Sequence, residues 1–293
     1  MTCLRPKSAM RVLGLSLAIA ATPFIATPGA LIAAPLADTT PASLTVSEPD
    51  IDARYTVYVG GFLFAEVTLA AEVKDDDYRL RAFAAVAGTP SHFFDSKWDL
   101  FSQGSLSQGK IRPAHYVFNA IEPDQTKKTT LDYDRHGMPS LTMDPPQDVA
   151  VTVQPFERLN TQDPVSAFLM PVLANGKNPC ERKLAIFDGK RRYDLQFAFE
   201  REEQIITRNK GYSGPAMVCS VTFKPGTGTE RKKFTDMMRR NGDTLIWLAS
   251  VDGGKIYMPV KLQLRTPIGG AVMEAVALSE KTQAASADLP LTK

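Results

Sequence analysis

Apolar side chains recur at every second position through most of the chain between residues 51 and 278, the spacing of strands that bury one face. Tyr55, Val57 and Val59 alternate with Arg54, Thr56 and Tyr58, and Gly60-Gly61 interrupts the run before Phe62 to Val73, as a bulge or a tight bend would. Lys74 to Asp77 supplies a polar turn, after which Tyr78 opens the next strand and completes a hairpin. Phe94, Ser96, Trp98 and Leu100 fall on one face, opposite Phe93, Asp95, Lys97 and Asp99, so one side of this sheet is wetter than the other. Similar runs cover Ala114–Ala120, Thr129–Tyr133, Val149–Val153, Leu184–Phe187, Met217–Phe223, Thr244–Ala249, Tyr257–Arg265 and Ala271–Leu278. Short connections between so many strands predict an antiparallel, mainly β architecture. The sharpest local signal is Asp188-Gly189, which tolerates the positive φ of a tight turn between Leu184–Phe187 and the alternating Tyr193, Leu195, Phe197 and Phe199.

One segment departs from the period of two. Asp163 can cap and Pro164 suits a first helical turn, while Val165, Phe168, Leu169, Val172 and Leu173 fall at helical spacing before Asn175-Gly176. This predicts one amphipathic helix at about 163–174, with Pro171 kinking or shortening its end. Thr235–Arg240 fits either a short helix or a strand. Residues 38–50 and 279–293 are polar and read as flexible segments flanking a single β-rich domain at 51–278.

The first 37 residues carry Arg5, Lys7 and Arg11, then an apolar stretch from Val12 to Ala21, then a small-residue tail, with no acid anywhere. The apolar stretch is about ten residues, half of the ~20 needed to span a bilayer, so it reads as a cleaved secretory signal with cut positions after Ala26, Ala30 or Ala37. Cys3 precedes the apolar stretch, where no lipid attachment is expected. Removing the signal takes away three cations and no acid, leaving 31 Lys and Arg against 32 Asp and Glu, a net charge of −1 in place of +2. A near-neutral mature chain gives no reason to expect nucleic acid as a partner. Removal also leaves Cys180 and Cys219, and an even pair in an exported protein reads as a disulfide. Closing a loop of about 40 residues removes chain entropy worth on the order of 4 kcal/mol.

Candidate chemistry is sparse. The chain lacks His-Glu-x-x-His, Gly-x-Ser-x-Gly, a phosphate loop and Gly-x-Gly-x-x-Gly. His92, His115 and His136 share no metal-ligand spacing, and Asp75-Asp76-Asp77 reads as a solvated hairpin tip. No catalytic residue, metal site or cofactor is therefore expected. Lys190, Arg191 and Arg192 form a basic turn that could contact an anion or a partner. Trp98, Trp247, Tyr58 and Phe118 are candidates to line a ligand cavity if the sheet is curved enough to leave one.

The motifs Tyr55-x-Val57-x-x-Gly60, Gly109-x-Ile-x-Pro113-x-x-Tyr116, Tyr133-Asp134-x-x-Gly137, Asp163-Pro-Val-Ser-Ala, Phe187-Asp-Gly-Lys-Arg-Arg-Tyr-Asp194 and Tyr212-Ser-Gly-Pro-Ala-x-x-Cys219, taken in this order, resemble the exported bacterial family grouped as domain of unknown function 3108. The resemblance runs over about residues 50–278 and implies an envelope protein of Gram-negative bacteria without an established activity. By analogy of layout it also implies the curved, incompletely closed β-barrel of periplasmic lipoprotein carriers and envelope-integrity proteins. Asp163, Pro164, Asp188, Gly189, Tyr193, Gly214 and Pro215 then read as structural motif positions at turns and caps, and no catalytic residue is transferred.

The expectation is a non-enzymatic periplasmic protein that binds a lipid, a lipoprotein or another envelope protein, has no transmembrane segment once mature, and supports envelope integrity. A lipid carrier predicts a concave apolar pocket of roughly 300–1,000 Å³. The alternatives are a hydrolase whose Asp, Ser or His residues converge only in the fold, and a scaffold that presents a sheet edge or its basic turns to a partner. Mass spectrometry of the exported protein is expected to find a mature N-terminus after Ala26, Ala30 or Ala37; a chain that retains Arg5 to Ala21 would refute the cleaved signal.

Overall fold

The computed structural model describes residues 46, 49–74, 76–93, 95–107, 109–146, 153–171, 178–228, 244–266 and 269–281. Two antiparallel meanders form a single sheet. The first comprises β1 (Ile51–Val59), β2 (Phe62–Lys74), β3 (Asp77–Val86), β4 (Lys97–Ser107), β5 (Lys110–Ile121), β6 (Thr126–Tyr133) and β7 (Pro139–Asp144), and each strand pairs with the next. The second follows β8 (Met170–Pro171) and comprises β9 (Lys183–Phe187), β10 (Arg191–Ile206), β11 (Ser213–Gly228), β12 (Leu245–Val251), β13 (Ile256–Thr266) and β14 (Gly269–Glu280). Strand β1 pairs with β14 from Ile51↔Glu280 to Val59↔Ala271, which makes the first and last strands neighbours and joins the meanders. The spatial order is β7-β6-β5-β4-β3-β2-β1-β14-β13-β12-β11-β10-β9, with β8 added to β13.

Local sequence explains the strands. In β1 the side chains of Ile51, Ala53 and Tyr55 are buried while Asp52 and Arg54 are exposed, as alternation requires. Gly60 and Gly61 take φ of 59° and 89°, so the doublet is the two-residue turn of a hairpin. Asp188 accepts the backbone N–H groups of Lys190 and Arg191 at 2.9 and 2.7 Å, and Gly189 sits at φ 91°, which builds the expected turn between β9 and β10. Cys180 and Cys219 form a disulfide with Cα atoms 5.4 Å apart.

The sheet does not close by strand pairing. Strands β7 and β9 are its two edges, and the segment from Val153 to Pro171 bridges them as a strap. The Asn160 N–H donates to the Gly137 carbonyl in the β6–β7 turn at 2.9 Å; Gln162 N–H donates to Ala185 at 2.7 Å, and Phe187 N–H donates to the Gln162 carbonyl at 2.9 Å. The β9–β10 turn reaches the other edge as well, since a Cβ at Gly189 would lie 2.5 Å from Thr129 Cγ2 of β6. Val153, Val165 and Leu169 of the strap are buried in the same cluster as Tyr55, Leu69, Tyr116 and Leu131 of the first meander and Trp247 and Met258 of the second. A second cluster surrounds the disulfide, with Met170, Ile186, Phe197 and Leu248. Each large apolar side chain fully buried in this way contributes ~1.5–3 kcal/mol.

The amphipathic helix expected at about 163–174 is not formed in its described part. Ser166–Phe168 makes a single 3-10 turn, Leu169 is extended at φ −85° and ψ 123°, and Met170–Pro171 joins β13 as β8. A residue that precedes proline is pushed out of the helical region, so Met170 cannot continue the turn. The apolar spacing served burial instead of a helix: Val165 is 2% and Leu169 1% exposed. The short helix that does form, α1 (Pro155–Arg158), carries a capping box between Gln154 and Glu157. Strand β7 was not among the runs read from periodicity, and the alternation read from Phe93 onward becomes strand only at Lys97. Residues 235–240, 149–152 and 172–174 lie outside the described residues.

Asp163 fastens the strap to the sheet. It is fully buried; its Oδ1 accepts the N–H groups of Val165 and Ser166 at 2.9 and 2.8 Å, and its Oδ2 accepts the Ser102 hydroxyl of β4 at 2.8 Å. The Ser102 hydroxyl in turn meets the Tyr78 hydroxyl of β3 at 3.1 Å. Burial raises the Asp163 carboxyl above its ordinary 3.8, and the hydrogen bonds that favour the carboxylate offset this only in part. Between 3.8 and the raised value the folded protein binds the proton more tightly than the unfolded chain, so this group adds stability as pH falls through that interval. Urea unfolding of the wild type and Asp163→Asn, followed from about pH 8 toward about pH 4, is expected to show the wild type gaining on the variant as pH falls; a constant gap would refute the raised value.

Candidate functional site

Two connected irregularities shape one end of the seam. In the β4–β5 ladder Gln103 pairs with His115 but Gly104 pairs with Pro113, so Ala114 is an extra, bulged residue. Only glycine fits at 104, because a Cβ there would lie 2.2 Å from the Arg112 carbonyl oxygen. The second is the β6–β7 turn, where Asp134 Oδ1 accepts the N–H groups of His136 and Met138 at 2.8 and 2.9 Å and Gly137 takes φ 78°. The bond from Met138 is the main reason the Asp134 carboxyl is held below the usual carboxylate range. That carboxylate is therefore occupied in building its turn.

Bulge and turn border two adjoining clefts of about 740 and 700 Å³, the second of which the strap and β9 also line. Both are lined by Arg112, Pro113, Tyr133, Asp134 and Arg135. The larger adds Glu72, Lys74, Tyr78 and Arg79; Glu72 there pairs with Lys74 at 2.6 Å and Arg79 at 3.8 Å, and the Lys74 contact is the first cause of its lowered carboxyl. The second adds Lys110, His136, Gln162, Arg182 and Lys183, against apolar walls from Ile111, Leu169 and Leu184.

Charge in the second cleft is uneven. Lys183 is neutralised by Asp194 at 2.7 Å, and Arg182 donates to the carbonyls of Pro179 and Pro171, both at 2.8 Å. Among the described residues Lys110 and Arg112 make neither an ion pair nor a side-chain hydrogen bond, and the hydrogen bond of Arg135 goes to His136 Nε2 at 3.0 Å. Two buried polar atoms of the lining also lack partners. The Tyr133 hydroxyl makes no well-formed bond although Thr161 Oγ1, which donates to the Arg158 carbonyl at 2.7 Å and can still accept, lies beside it, and Gln162 Oε1 is likewise unpaired; neither oxygen has surface open to the cleft. An unpaired buried polar group costs ~1–3 kcal/mol, and both oxygens are closed off from solvent. Beneath the cleft Tyr78, Tyr116 and Tyr133 are all pushed well above the ordinary tyrosine range, first by burial and then by the nearby Asp163 charge.

The residues singled out from sequence lie mostly elsewhere. Arg191 pairs with Asp188 at 2.7 Å and Arg192 with Asp194, so two cations of the basic turn are internally satisfied; Lys190 makes no ion pair among the described residues. Trp247 is 4% exposed and donates from Nε1 to Glu203 at 2.5 Å, with Lys261 over its ring. Tyr58 lies under the Arg208 guanidinium at 4.3 Å, Phe118 packs against the main core, and Trp98 is half-buried on β4. None of these four lines either cleft. Gly214 and Pro215 serve Tyr212, whose hydroxyl donates to the Pro215 carbonyl at 2.5 Å, and Tyr193 packs on Phe223. His115 and Asp132 form a cross-strand pair at 2.6 Å outside both clefts, and His92 is exposed. Among the described residues no group of three potential metal ligands assembles, and no helix is long and apolar enough to cross a membrane.

Arg112, Arg135, Tyr133 and Gln162 were not read as site residues. The available signal was indirect: Gly109, Ile111 and Pro113 of one motif and Tyr133, Asp134 and Gly137 of another all line the second cleft.

Residues 54–276 match the model of a family described as protein of unknown function (DUF3108). No curated protein matches the chain. Among solved structures, a β-barrel-like protein of domain of unknown function DUF1849 from Brucella abortus is similar, at 11% identity and a TM-score of 0.45, over 80% of this chain and 99% of that one.

The two buried hydroxyls are expected to respond oppositely to deletion. Tyr78→Phe removes the bond to Ser102 and is expected to cost about 1 kcal/mol in urea unfolding, whereas Tyr133→Phe removes an unpaired group and is expected to be neutral or stabilising by up to about 1 kcal/mol. Equal losses for the two would refute the unpaired state of Tyr133.

Proposed function

The chain belongs to the DUF3108 family, whose description assigns no reaction, and we propose that it is a non-enzymatic binding protein of the periplasm that holds an envelope ligand in the cleft between strap and sheet. The observation that carries this reading is the cleft of about 700 Å³ in which Lys110 and Arg112 make no ion pair among the described residues, against apolar walls from Ile111, Leu169 and Leu184. A pre-formed concave site with a few convergent polar groups on partly apolar walls is the usual form of a small-molecule site. The signal-like residues 1–37 support export, and the Cys180–Cys219 disulfide suits an oxidising compartment. The main core is filled by the strap, so the ligand is one whose polar end enters the cleft. Holding such a ligand would support the upkeep of the envelope.

Native mass spectrometry of the mature protein purified from the periplasm is expected to find a retained small molecule that is lost on unfolding and reduced by Arg112→Ala, a residue that lines both clefts. Protein that is uniformly free of ligand, and in which no envelope extract restores an added mass, would refute the reading.

A further inference from the structure

The two ends of the first meander differ. Strand β2 runs from Phe62 to Lys74, roughly 40 Å, and Lys74 borders the larger cleft, so Phe62 marks the end that points away from the clefts. There the chain leaves large apolar side chains in water: Phe62 is 69%, Phe64 38%, Phe83 39% and Phe93 77% exposed. Phe62 follows the Gly60-Gly61 turn, and Phe93 closes the 3-10 turn Thr89–His92, which packs against β2. The two connections are held together, because the Ala87 N–H donates to the Phe64 carbonyl at 2.9 Å and a Cβ on Gly88 would lie 2.6 Å from the Leu63 carbonyl oxygen. Phe83 stands opposite Thr68, on the same outward face of the β2–β3 pair as Phe64 and Glu66.

Area and charge decide what covers this end. The exposed fractions of the four rings amount to about two whole phenylalanines, on the order of 450 Å². That is a large apolar patch for a monomer, yet about half of the ~800 Å² per partner that a stable protein interface or dimer needs. The charges around it neutralise one another: Lys97 pairs with Asp95 at 3.3 Å and Arg81 with Asp99 at 3.0 Å, which leaves Glu66 as the acid without an ion pair among the described residues. Such a rim offers no field to steer a charged protein partner and needs no anionic lipid. From Phe64 to Glu66 the strand rises ~7 Å, within the ~5–10 Å to which elements lying on a bilayer bury their apolar side chains. We propose that this end of the sheet is a membrane-contact tip. Phe62, Phe64 and Phe93 enter the outer part of a lipid leaflet, Glu66 and the Asp95–Lys97 pair stay at the water line, and Phe83 rests against the headgroups. The clefts are then held off the lipid surface, on the aqueous side.

Flotation of the mature chain with phosphatidylcholine vesicles, and with vesicles that also contain phosphatidylglycerol, tests the assignment. Retention on both is expected, changed less than about twofold when salt is raised from ~0.05 to ~0.5 M, because apolar insertion is not screened. Phe62→Ser and Phe93→Ser are each expected to weaken partitioning about tenfold or more, with urea midpoints unchanged because both rings already stand in water. Phe156→Ser, which removes an equally exposed ring from the strap, is expected to leave partitioning unchanged. In Phe93→Trp, brominated phosphatidylcholine is expected to quench fluorescence beyond any quenching of the wild type, whose Trp98 is half-buried and Trp247 buried. Absence from both vesicles, retention on the anionic ones alone that salt releases, partitioning untouched by both serine substitutions, or an equal loss in Phe156→Ser would overturn the inference. So would a concentration-dependent dimer in sedimentation velocity that the same substitutions dissolve, which assigns the patch to a second copy. The cleft reading stands or falls separately, by its own retained ligand.

Discussion

A sheet that stops short of closure leaves two rows of backbone donors and acceptors to be satisfied, and the rest of this molecule is arranged around that seam. Strand β1 bonds to β14 and removes the chain's terminal strands as edges, which moves the open edges to β7 and β9 in the middle of the sequence. The strap between them is bonded at Gly137 on one side and at Ala185 and Phe187 on the other. Its apolar residues complete the core, and Asp163 ties it to β4 through Ser102. Burying a carboxylate without a cation is costly, and three donors to its oxygens offset part of that cost here.

The candidate site follows from the same seam. A strap laid across two edges cannot match both ladders along their length, so the seam keeps concave space where the β4–β5 bulge and the β6–β7 turn stand away from it. Its charge is set locally: Lys183 is neutralised by Asp194, Asp134 is held in its turn beside Arg135, and Lys110 and Arg112 of β5 make no ion pair among the described residues.

Much of the fold was legible in local pattern. Alternation along β1, the glycine doublet after Val59, the Asp188-Gly189 turn and the Cys180–Cys219 pair depend on φ preferences, side-chain direction and cysteine count, all of which act over a few residues or by simple elimination. The helix expected at 163–174 shows where such reasoning stops. Val165 and Leu169 have helical spacing because both must be buried, yet Pro171 and the pull of β13 on Met170 end the turn after Ser166–Phe168. Burial demands apolar residues but does not dictate the backbone that delivers them.

By itself the sequence determined an antiparallel β protein, its hairpin turns and its disulfide partners, because each is a property of neighbouring residues or of composition. Only the tertiary structure decided which arginines are paired. Arg191 and Arg192 looked available and are bound by Asp188 and Asp194, while Arg112 and Arg135 looked ordinary and are left facing a cleft. The physical reason is that pairing and desolvation depend on distances between residues remote in sequence, here β5, the β6–β7 turn and the strap, which meet only when the sheet curls and the seam is bridged.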